Sequence, residues 1–312
     1  MPAYSHHPIG TAPDAPIRER TGHLLLRGWC IFVLSAALAG TSWLMAFGTT
    51  GAAVVAGASS LVSLAIWLVL RPQVAWRRLP WLAVAYLAWA CASLLWSQWI
   101  GATAATLTLL LITTFHGIFV ASVLTWRELV RSVASALKWI LGLSLLFELW
   151  VSLVWKGDIL PQFVRPDAPV DDPIVLWSRD NLFNEGRIQG LFGNANALAY
   201  VALFAMIVFA VRFASRAPRR PLLVAWFILA LYLFVRASSA TAMLAAVLVA
   251  CVLITVLLMR TTTRPGQRTR YYILYAAVAV GGLATFWFAR DHIFGLLGRS
   301  SDLTGRESIW AA

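Results

Sequence analysis

Nine long apolar runs, separated by short polar segments, constrain this chain more than any other feature. They span residues 29–47, 51–70, 80–97, 102–124, 138–155, 193–211, 221–235, 241–259 and 271–289. A helix needs about 20 mostly apolar residues to cross the hydrocarbon core of a bilayer. Lipid offers no partners for the edges of an open sheet, so such runs cross as helices. The expectation is an all-α, polytopic membrane bundle of about nine helices, with residues 29–312 as the membrane domain. Composition agrees: 60% of the 312 residues are hydrophobic, only 12% are charged, and mean hydropathy is +0.76. Soluble domains carry roughly 25% charged residues.

Residues 1–28 are polar and read as a disordered tail. The run 29–47 resembles the apolar core of a signal peptide but is long enough to span and lacks a clear cleavage site, so it reads as a retained first helix. Cys30, Cys91 and Cys251 all lie inside apolar runs without disulfide or metal-ligand spacing, and read as small core residues.

The net charge of +12 would suggest nucleic acid in a soluble protein. Here the arginines follow membrane topology instead, and no nucleic-acid partner is expected. With a cytoplasmic N-terminus, the inner segments carry three, three, three, four and four basic residues, seventeen of the twenty-five in the chain. Nine of the thirteen acids fall on the outer side. This is the positive-inside pattern. Two outer segments stand out: a loop over 156–192, and the stretch from Arg290 onward.

Eight basic residues break the bias, among them Arg187, Arg236, Arg290 and Arg306. The planar guanidinium fork suits phosphate oxygens, and arginines gathered at the outer interface would hold a lipid-linked pyrophosphate. Each taken alone reads first as an interfacial arginine reaching toward headgroups, and it is their number beside glycine-containing outer segments that points to function. Around Arg187 the sequence RIQGLFGNANALA (187–199) combines an arginine, glycines and an Asn-x-Asn pair. Asn194 or Asn196 can cap the following helix, while Gly190 and Gly193 permit a tight turn or close approach to a ligand. An exposed helix N-terminus also favours anions. Glu148 and His116 lie within apolar runs, where ionisable groups are functional candidates; they would pair with each other or line a proton or lipid path.

Four segments, in this order, carry a resemblance to a known family: LAWACASLLWS (87–97), RIQGLFGNANALA (187–199), RASSATAMLA (236–245) and SSDLTGRESIW (300–310). They are similar to the S-x-x-W-S, R-x-x-G-x-F-x-N-P-N, S-x-S-A-T and T-L-T-G-R-x-x-x-W motifs of the O-antigen ligase and polymerase superfamily, most closely its exopolysaccharide-polymerase branch. The resemblance implies a glycosyltransferase in the cytoplasmic (inner) membrane of a bacterium. It would join polyprenyl-pyrophosphate-linked glycans at the outer face, without metal, nucleotide sugar or other cofactor. The substrate-binding positions expected are Arg187, Gly190, Asn194, Asn196, Arg236, Ser239, Gly305, Arg306 and Trp310. Within that set Arg187 and Arg306 are the arginines that match the family, and Arg236 is added on topology alone.

Two positions depart from the pattern. Ala195 stands where the family has proline, which would stiffen the turn. The family's proposed catalytic histidine follows the last motif, whereas this sequence stops at Ala312. The chain therefore reads as C-terminally truncated, with an incomplete outer loop and the base expected beyond Ala312. His292 precedes the motif and is a weak substitute. A transporter or flippase of a lipid-linked glycan, and a non-catalytic fragment, are the alternatives; against a transporter, the sequence shows no internal symmetry.

Overall fold

The structure, a computed structural model, describes residues 17–72, 80–164, 176–215, 220–261, 269–278 and 280–282, with single positions at 266 and 288. Only the backbone is described for residues 17–20, 260 and 261. Among the described residues the regular elements are helices, without strands. The helices are α1 (Ile17–Leu38), α2 (Gly40–Leu70), α3 (Trp81–Ala92), α4 (Ile100–Val123), α5 (Trp126–Trp150), α6 (Ala195–Ala214), α7 (Arg220–Ala237) and α8 (Ala240–Thr261). All of these except α3 are long and apolar enough to cross a membrane, which makes seven candidate spans.

The other two expected spans fare differently. α3 has 12 residues, rising about 18 Å at 1.5 Å per residue, and a 3₁₀ turn (Ser93–Leu95) extends it only slightly. It is too short to cross by itself. Of the run 271–289, residues 271–278 and 280–282 are helical and the rest lies outside the described residues, apart from position 288.

Three helix boundaries differ from those read in hydropathy. α1 begins at Ile17, so residues 17–28, expected as part of a disordered tail, are helical. The turn expected near residues 48–50 lies instead at Ala39, and residues 40–47 form the first leg of α2. That leg joins the rest at Gly48, whose φ of 67° and ψ of −174° interrupt the helix. α5 starts at Trp126, twelve residues before the apolar run at 138. Thr125 and Glu128 form a capping box there: the Thr125 N–H donates to Glu128 Oε2 at 3.0 Å, and Oγ1 lies 2.7 Å from the same oxygen. Residues 126–137 are amphipathic rather than apolar, with Ser132, Ala134 and Leu137 buried and Arg127 and Arg131 exposed. A hydropathy window misses such a stretch because its polar face lowers the mean.

The chain divides into two units, residues 1–238 and 239–312. In the first, α6 and α7 pack most extensively, α1 lies along α5, and α5 also contacts α6 and α7. Phe119, Val120, Cys30 and Val33 form a core where α4 meets α1, with Trp67 of α2 and Leu129 of α5 packed against it. Cys30 is therefore a core residue as expected, but Cys91 and Cys251 are exposed on their helices. The second unit is represented by α8, whose surface is almost entirely exposed apolar side chains.

Candidate functional site

The long loop after α5 is tied down at several points. α5 ends in a π-helical turn (Val151–Trp155) closed by Lys156 in the left-handed conformation. Ile159 and Ser178 then pair backbone to backbone, with the Ile159 N–H donating to the Ser178 carbonyl at 2.9 Å, so the two ends of the loop meet. Trp177 stacks on Phe147 of α5 with 4.7 Å between ring centroids, and its indole N–H donates to the Leu191 carbonyl at 3.0 Å. Gln162 N–H donates to the Met45 carbonyl of α2 at 2.9 Å.

Beneath this loop lies Glu148, 1% exposed. Its Oε1 accepts from the backbone N–H groups of Gln189 (3.0 Å) and Gly190 (2.6 Å), and its Oε2 accepts from the Ser178 hydroxyl (3.0 Å). The expected pairing with His116 does not form. His116 sits on α4, its ring bonded to the Ser59 backbone, with Nε2 unpartnered among the described residues. Glu148 is instead the internal cap of the segment that carries the arginine-glycine-asparagine motif. A buried amide without an acceptor is costly, and one carboxylate serves two amides at once.

The glycines of that segment are needed where they stand. Gly190 has φ 55°, and a Cβ there would come within 3.0 Å of the Ser144 side chain. Gly193 has φ 62°, and a Cβ would meet the Met45 methyl at 2.8 Å. Both are left-handed positions pressed against neighbouring helices. The two asparagines then divide their labour. Asn194 is the N-cap of α6, its side-chain oxygen accepting from the amides of Asn196 (2.8 Å) and Ala197 (3.4 Å). Asn196 does not cap; its Oδ1 accepts from Arg187 Nη2 at 2.6 Å.

Arg187 and Arg236 come together here, and both are engaged with the protein. Arg187 Nε donates to the Ala237 carbonyl at 2.9 Å, and the Ile188 N–H donates to the Arg236 carbonyl at 3.2 Å. These are terminal carbonyls of α7, which have no partner within the helix and sit at its negative end. Arg236 Nη2 reaches in the opposite sense to the carbonyls of Asn181, Leu182 (3.2 Å) and Asn184 (2.9 Å). Asn181 closes the circuit by donating its side-chain amide to the Arg187 carbonyl at 3.1 Å. The sequence left Arg187 without a structural task. In the folded chain it staples the loop to the ends of two helices.

Two more polar atoms in this region are buried without hydrogen-bond partners among the described residues: Gln189 Oε1 and Arg179 Nε. In the second unit Ser239 caps α8, its hydroxyl oxygen accepting from the Ala242 amide at 3.3 Å. Gly305, Arg306, Trp310 and His292 lie outside the described residues. Sequence reasoning missed Ser178, Trp177, Ser144 and Asn181. None belongs to a motif, and their partners are 6 to 47 residues away. Comparison with protein families, with characterised proteins and with solved structures finds no match.

Proposed function

We propose that this chain is a multi-pass inner-membrane protein of bacterial surface-polysaccharide synthesis. In this reading it is a glycosyltransferase of polymerase or ligase type, joining polyprenyl-pyrophosphate-linked glycans at the outer face. The N-terminus is cytoplasmic and the run 271–289 completes a further span. The observation that most supports the reading is the position of Arg187, whose guanidinium reaches Asn196 in the first turn of α6. A guanidinium beside the positive end of a helix suits a pyrophosphate, and stabilising it as it leaves is the electrostatic catalysis such a transfer needs.

Arg187 and Arg236 also hold the loop, so the deciding substitution is Arg306→Ala, tested beside Asn196→Ala. The gene and its variants are expressed in a strain lacking its own surface polymer, with membrane levels checked by immunoblot. Polymer restored by the wild type and abolished by Arg306→Ala at equal protein level supports the reading. Equal polymer from both removes it.

One observation favours a transporter instead. The break at Gly48 divides α2 within the apolar region, and interrupted helices are a transporter feature. Accumulation of lipid-linked glycan on the inner leaflet of a deletion strain, rather than on the outer leaflet, would decide for that alternative.

A further inference from the structure

Between the first leg of α2 and the middle of α5, packing leaves a groove of about 210 Å³. The leg contributes Ala46 and Phe47 to its lining, α5 contributes Ile140 and Leu143, and Trp177 comes from the loop. Two of these walls are pinned. The Met45 carbonyl in the leg accepts from the Gln162 amide at 2.9 Å, and Trp177 is stacked on Phe147 with its indole bonded to Leu191. Phe47, Leu143 and Trp139, which also lines the groove, are exposed apolar side chains on candidate spans. The groove therefore opens toward hydrocarbon. Apolar cavities of about 150 Å³ stay dry and take apolar guests, so a space of this size and lining suits a length of hydrocarbon chain.

The other end of the groove asks for something more. Ser42 and Trp43 line it in the first turn of α2, one turn before Ala46 and Phe47. Ser42 Oγ and Trp43 Nε1 are both buried without a hydrogen-bond partner among the described residues. The Trp43 ring is held in place, edge-on to Phe32 of α1 at 6.2 Å and stacked on Phe47 at 6.0 Å between centroids. An indole N–H can only donate, so the partner it lacks is an acceptor, and a buried donor left unpaired is costly.

These two demands, an acceptor at one end and hydrocarbon beyond it, select among membrane lipids. A polyprenyl chain is hydrocarbon throughout and offers no acceptor. A free fatty acid ends in a carboxylate, and no charged side chain is among the described residues lining the groove; a charge buried without a partner is disfavoured. A glycerophospholipid carries uncharged ester carbonyls, which are acceptors, at the point where its acyl chains begin.

We propose that this groove binds one acyl chain of a glycerophospholipid, with Ser42 and Trp43 donating to the ester carbonyl at its head. The bound chain fills the space between α2 and α5 and supports Trp177 from below. This site is separate from the chemistry proposed around Arg187 and does not depend on it.

The test uses the purified full chain in neutral detergent. Native mass spectrometry counts bound lipid as dioleoyl phosphatidylcholine, a long-chain polyprenol or oleic acid is titrated in. The wild type is compared with Ala46→Trp, which fills the groove, and Trp43→Phe, which keeps the ring and removes the N–H. The control is Val62→Trp, at an exposed position of α2 outside the groove. The wild type should bind a first phosphatidylcholine more tightly than either other lipid. Ala46→Trp should weaken that first site at least about tenfold and Trp43→Phe by roughly two- to tenfold, the loss of one hydrogen bond, while Val62→Trp leaves it unchanged. Polyprenol or oleic acid binding as tightly as phosphatidylcholine overturns the proposal. So does undiminished binding in Ala46→Trp or in Trp43→Phe, or an equal loss in Val62→Trp. Should Ala46→Trp fail to fold, the comparison of Trp43→Phe with wild type decides.

Discussion

At the scale of single residues, the same residue types serve quite different ends within a few positions. Asn194 and Asn196 are separated by one alanine, yet one caps α6 and the other receives Arg187. Both are common amide chemistry, and only the direction of each side chain off the first turn distinguishes them. Glu148 is the clearest case of a role set by distant partners. Since Oε1 takes both amides and Oε2 takes only a hydroxyl, Glu148→Gln should be tolerated. Its amide oxygen keeps the two N–H donors, and its NH₂ faces a Ser178 oxygen that can turn to accept. Glu148→Leu leaves both amides unpaired and should cost about 1–3 kcal/mol for each. Chemical denaturation in detergent, followed by tryptophan fluorescence, checks this. Equal losses for Gln and Leu would mean that the charge, not the acceptor geometry, matters.

At the scale of elements, hydropathy located the helices well and their ends poorly. α6, α7 and α8 lie within three residues of the expected limits, with glycine, arginine and serine punctuating both ends. α1, α2 and α5 do not, for separate physical reasons. α1 extends past its apolar run on a polar stretch and α5 on an amphipathic one, and α2 begins before a glycine that only looks like a terminator. Gly48 occupies a backbone region that glycine alone visits freely, and non-glycine residues there pay about 1–3 kcal/mol. Gly48→Ala should therefore lower the Tm measurably, whereas Gly57→Ala, a helical glycine of α2 with open space at its Cβ position, should not. If both variants melt alike, the break at Gly48 is not a feature of the folded state.

At the scale of the whole molecule, the arrangement of charge leads to an orientation that fusions can check. Alkaline phosphatase fused after Gln162 should be active, since that enzyme matures only outside the cytoplasm, while a fusion after Ser215 should be inactive. The reverse pattern would invert the protein in the membrane, and the loop-end chemistry would have to be abandoned with it.

What the sequence by itself determined about this protein is its class: a membrane bundle, its apolar spans, and the uneven charge at their ends. Those are additive local properties, since each residue's transfer into lipid depends mainly on its own side chain. Tertiary structure alone decided which polar groups meet. Glu148 finds the amides 41 and 42 residues away rather than His116, and Arg187 finds the end of α7 50 residues away. In a bilayer the backbone N–H and C=O groups must be satisfied inside the protein, and which partner is within reach is a matter of how the helices pack.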